Sequence, residues 1–142
     1  MDMPSNGTRQ RLTMLRNGLL HLHKYLMDSE RALYERDVER ITSTGQYLQL
    51  VLNDPWFAWL HELSKFIVTI DEALDFGEAL TEDDAEKLIA QARALVSPSE
   101  EGVGFARKYF DIMQRDAGAV LAHRDMMRVF GEVAGHPSDR SV

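Results

Sequence analysis

The chain contains no cysteine. Disulfides, thiolate nucleophiles and zinc or iron–sulfur sites built on Cys ligands are therefore excluded. It also lacks any long basic run: 16 Lys plus Arg stand against 23 Asp plus Glu, giving a net charge of −7 and a pI near 5.2. A surface of that sign repels phosphate backbones, so no nucleic acid is expected as a partner. Long apolar stretches are missing too. The most apolar window, 56–70, is interrupted by His61, Glu62 and Lys65, which argues against a membrane span. Residues 1–12 carry no apolar run ahead of a small-residue cleavage site. The expected location is the cytoplasm, with no membrane partner. The loop SEEGVG at 99–104 is followed by no Lys-Ser or Lys-Thr, so it is not a phosphate loop of the Walker type.

What is present is ordinary for a globular protein. The 142 residues are 44% apolar and 27% charged, enough for one domain with one sizeable core. The apolar spacing is helical throughout. Leu12, Leu15, Leu19, Leu22, Leu26 and Leu33 alternate by three and four along a helix expected over 8–40, with Thr8 as cap. Ser29 stands where this stripe asks for another apolar residue, and Gly18 marks a close helix approach. Ser43 or Thr44 caps a short helix over 46–53.

Asp54-Pro55 then opens what reads as the organising helix, 54–76. An Asp N-cap and a Pro at the first helical position are both favourable there. Trp56, Leu60, Leu63, Ile67, Ile70 and Leu74 lie on one face, with Phe57, Ser64 and Asp71 on a flank, and Gly77 is the expected C-cap. Thr81 to Asp84 is a capping-box variant for the next helix, ended by Ser97-Pro98. A helix over 105–115 follows. The last, over 117–133 and capped by Asp116, has Val120, His123, Met127, Phe130 and Ala134 on its face. No strand is credible. The expected fold is all-α: a single antiparallel bundle of five to six helices, with flexible tails at 1–8 and 135–142.

The run QYLQLVLNDPWFAWLHELSKFIVTIDEAL and the later QRDAGAVLAHRDM resemble a family of small, uncharacterised all-helical bacterial proteins over roughly 12–130. The most specific element is DPWFAWL, at 54–60. The resemblance implies a cytoplasmic bacterial helical domain and brings no activity or site residues with it.

Three constellations could carry function. Arg16, His23, Glu30 and Asp37 recur by seven beside the leucine stripe, forming a slowly drifting line. His23, Glu30, Asp71 and His123 could converge between helices. They would form either a satisfied polar network or a site for a divalent metal or small ligand, iron, zinc or manganese suiting that donor set. The network reading has the greater weight, because the Glu-x-x-His pairs of di-iron bundles and any His-Glu-x-x-His are absent. His123 is expected inside, bonded to Glu30 or Asp71. His61-Glu62-Leu63 resembles the start of the phosphoacceptor hairpin of sensor histidine kinases. The match stops there and no ATP lid exists in the chain, so His61 reads as a solvated residue near Lys65. Trp56, Phe57, Trp59 and Phe66 form an aromatic cluster that serves the core or, where a ring reaches the surface, a second copy. The function expected is a non-catalytic protein acting by helix-mediated association, with no cofactor and a homo-oligomer as its natural form. A ligand-binding bundle, enzyme or not, is the alternative.

Overall fold

The leucine stripe builds the longest helix of the computed structural model, which describes residues 6–76 and 80–134, apart from the side chains of Asn6 and Phe76. The chain folds as α1 (Asn6–Asp37), α2 (Thr44–Asn53), α3 (Pro55–Ala58), α4 (His61–Phe76), α5 (Glu82–Leu95), α6 (Phe105–Arg115) and α7 (Ala117–Ala134). Among the described residues there is no strand, and no helix is long and apolar enough to cross a membrane.

The expected helix over 54–76 is broken. Its first turn closes through Phe57 N–H to Asp54 O and Leu60 N–H to Phe57 O, each 3.1 Å, the tight i-to-i−3 pattern. Regular α bonding resumes with Ser64 N–H to Leu60 O. That turn at Trp59-Leu60 gives seven helices among the described residues and changes which aromatic is buried. Phe57 is fully buried, while Trp56 leaves the face it was expected to share with Leu60 and Leu63.

The main core gathers Leu12, Leu15, Leu19, Leu22 and Leu26 of α1 with Leu60, Leu63, Ile67 and Ile70, and with apolar faces of α5, α6 and α7. α1 is thus the element against which α3, α4, α5 and α7 pack. The 54–76 segment does not hold that place. A smaller cluster of Tyr34, Ile41 and Phe57 sits at the C-terminal end of α1, flanked by Tyr47, Leu50, Val51 and Trp56. It packs against α2, which contains no buried residue.

Local chemistry sets the boundaries. Ser43, Asp54 and Thr81 act as N-caps, and Thr81 with Asp84 completes a capping box. Gly104 precedes α6 at φ 62°, where a side chain would be strained. Thr8 is not a cap: α1 already includes Asn6, and buried Thr8 donates to Glu82 on α5. Asn6 to Thr8 therefore belong to α1, and the rest of the expected tails, with the cap at Gly77, lie outside the described residues. Arg11 fastens three elements, with Nη1 to Glu82 at 2.9 Å, Nη2 to Glu86 at 2.6 Å and Nε to Val133 O at 2.6 Å. Gly18 is the close approach expected of it: a Cβ there would stand 3.2 Å from Val129 and 3.3 Å from Met126.

Candidate functional site

Glu30 is the one acidic side chain buried in the described structure, at 6% exposure. It lies on α1 where the α3–α4 turn and the end of α6 meet. Oε2 accepts from Trp59 Nε1 at 3.1 Å and from Arg115 Nη2 at 3.2 Å. Trp56 Nε1 donates to the Glu30 carbonyl at 3.3 Å. Both tryptophans thus spend their polar atoms on one residue, as indoles partly withdrawn from water do. Their rings are half-buried and Phe57 is wholly so, hence the three aromatics do not form an exposed interaction surface.

One turn earlier, α1 meets the corner between α6 and α7. Asp116 Oδ1 accepts from Tyr25 Oη at 2.8 Å and from Gly118 N–H at 2.9 Å, and Oδ2 accepts from Ser29 Oγ at 2.6 Å. Burial alone would raise the Asp116 pKa. Bonds from Ser29, Tyr25 and the backbone of Gly118 and Ala119 outweigh it and hold the carboxyl below its ordinary value. The bond to Asp116, followed by burial, raises Tyr25 in turn. A Cβ on Gly118 would lie 1.9 Å from Tyr25 Oη, so only glycine fits beside this hydroxyl. The sequence offered two separate signals for the corner, the serine interrupting the leucine stripe and the capping Asp116.

The four polar residues expected to converge do not. Glu30 has the partners just given. Asp71 pairs with Arg16 across α1 and α4. His123 is half-buried on the flank of α7 that faces α6, and its Nδ1 shares a hydrogen bond with the Tyr109 hydroxyl at 2.7 Å. No carboxylate among the described residues bonds it. The buried face of α7 is Ala119, Met126, Phe130 and Val133, while Val120 is 44% exposed. The stripe read from the sequence was therefore about one residue out of phase. Burial lifts the Tyr109 phenol well above its usual value and pushes His123 below its own, which favours tyrosine as donor to a neutral imidazole.

His23 is lowered by burial and then by the neighbouring His61. His61 is not solvated: its Nε2 donates to Val51 O at 2.7 Å, tying α4 to α2. Among the described residues no three His, Asp or Glu side chains are grouped to hold a metal ion. The donor set that a divalent cation would need is not assembled from His23, Glu30, Asp71 and His123.

The exposed apolar surface lies elsewhere. Leu48 and Leu52, one turn apart on α2, are 56% and 58% exposed. Across its ten residues, TGQYLQLVLN, α2 carries no charge. Arg31 of α1 stacks its guanidinium 4.4 Å over the Tyr47 ring, and with the small cluster this fixes α2 so that the leucine pair faces outward. Compared with family models, curated proteins and solved structures, the chain finds no match.

Proposed function

We propose that this chain is a cytoplasmic, bacterial, antiparallel helical-bundle protein that works by associating with a second copy of itself through α2, without catalysis. The observation that carries the reading is a helix with no buried residue, no charge and two outward leucines one turn apart. Exposed apolar pairs on a rigidly held helix are what association surfaces present.

The charge balance favours a second copy as the occupant. Two chains of net charge −7 repel each other over most of their surfaces. An uncharged helix is where they can meet without desolvating like charges, and an isologous α2–α2 contact would use the same patch twice.

Sedimentation equilibrium over a wide concentration range tests this. The wild-type chain should dimerise, and Leu48→Ser with Leu52→Ser should leave a monomer whose thermal midpoint is nearly unchanged, because neither side chain is buried. A wild-type monomer at every concentration, or a double variant that dimerises as before, refutes the assignment.

A further inference from the structure

Beside the Asp116 corner lies a cleft that association through α2 does not use. α7 reaches α1 only as far as Tyr25 and Ser29, whereas α1 continues to Asp37. Leu33, the next position of the stripe, is only half-buried, and a cleft of about 520 Å³ opens beside it, lined by residues of α1 together with Arg115 and Asp116. That volume falls within the usual range for small-molecule sites.

The bonding within the cleft leaves guanidinium donors open. Asp116 already accepts from Tyr25, Ser29 and Gly118 N–H, and Asp28 is paired with Lys24 at 3.0 Å. Arg36 gives Nε and Nη2 to Asp37, leaving Nη1 without a partner among the described residues. Arg115 gives only Nη2 to Glu30, leaving Nε and Nη1 likewise. Two guanidinium groups with open N–H bonds thus line one cleft, and such groups recognise carboxylates. Ser29 and Tyr25 have donated their protons to Asp116, so their oxygens retain lone pairs able to accept. Ala32 and Leu33 add apolar wall.

We infer that this cleft binds a small monoanionic hydroxy acid. Its carboxylate would lie on Arg115 and Arg36, its hydroxyl would donate to Ser29 or Tyr25, and its carbon chain would lie along Ala32 and Leu33. A multiply charged anion is disfavoured, because the carboxylates of Asp28, Glu30, Asp37 and Asp116 surround the same guanidinium groups.

Titration of the isotope-labelled protein with sodium lactate, followed by amide chemical shifts, tests the assignment. Sodium chloride at matched ionic strength and inorganic phosphate are the comparison arms. Lactate should give saturable shifts confined to 25–36 and 115–118, with neither chloride nor phosphate reproducing them. Arg36→Gln, a change at an exposed side chain, should weaken lactate about tenfold, the loss expected for one charge-assisted hydrogen bond. Arg115→Lys keeps a cation for Glu30 but removes the fork, and should weaken it by a similar factor. Shifts that chloride reproduces, or that never saturate, overturn the site. Phosphate binding as well as lactate overturns the hydroxy-acid class, and unchanged affinity in Arg36→Gln overturns the geometry.

Discussion

Phe57 and Trp56 are neighbours in sequence, and the structure assigns them opposite weights. Phe57 is fully buried in the small cluster, its ring 5.8 Å from Tyr34 and 5.9 Å from Tyr47 between centroids. Truncating a buried phenylalanine to alanine costs about 3–5 kcal/mol, and a cluster of so few side chains has little material with which to refill the cavity. Trp56→Ala removes a half-buried ring, one edge-on contact with Tyr34 at 5.5 Å, and a bond to a carbonyl that α1 already uses internally. Its cost should be nearer 1–2 kcal/mol, in the ordinary range for single substitutions (about 0.5–3 kcal/mol). With a urea slope of about 2 kcal/mol/M, the Phe57→Ala midpoint should lie about 1 M below that of Trp56→Ala. Far-ultraviolet circular dichroism melts measure both. An unbroken 54–76 helix would rank Trp56 first, so a larger loss for Trp56→Ala would refute the turn at Trp59-Leu60 together with the burial argument.

Three further outcomes follow from the polar contacts. Gly118→Ala should destabilise by about 1–3 kcal/mol despite the better helix propensity of alanine, and most of that loss should vanish in a Tyr25→Ala background, a coupling that thermal melts of the double variant measure. Acidification should destabilise the fold through His23 and His123. Their folded pKa values lie below 6.5, so the unfolded chain binds more protons as pH drops past 6.5; stability is complete above that point and is lost as pH falls towards the folded values. Thermal midpoints that stay flat or rise between about pH 7 and 5 would contradict that sign. Glu30→Ala should cost about 2–3 kcal/mol, less than for a fully buried pair because Arg115 is 35% exposed, while Glu30→Gln, which still accepts from Trp59, should cost about 1 kcal/mol in the same urea assay.

The all-helical character was legible because most of these helices bury a single stripe, and three- and four-residue spacing is what one stripe requires. Caps at Ser43, Asp54, Thr81 and Asp116 were legible for a related reason: each is satisfied by its own following turn, so no distant residue is needed to recognise it. Leu12 to Leu26 could be placed in the core by counting. The same counting failed at Trp56 and at Val120. Periodicity carries phase along an unbroken helix, and one tight turn at Trp59-Leu60 rotates everything before it. On α7 the phase is set by Gly118 pressed against Tyr25, a contact between residues far apart in the chain.

Polar partners were the least legible, for a physical reason that the stripe of α1 makes plain. An apolar side chain needs only a buried direction, which sequence period supplies; a hydrogen bond needs a particular atom on another element at about 3 Å. Glu30 and Asp71 were read as polar residues beside the core, yet their partners, Trp59 and Arg115 for the one and Arg16 for the other, lie on other elements of the chain. Ser29 is the exception. A serine in a leucine stripe is a local signal, because a hydroxyl at a buried position carries a cost unless something there accepts its proton. What accepts it is Asp116, already recognisable as the cap of α7. An interruption in one stripe and an N-cap acid elsewhere are thus each readable alone, and their pairing is the rule by which the α1–α7 register, and with it the cleft beside it, could have been derived from the chain.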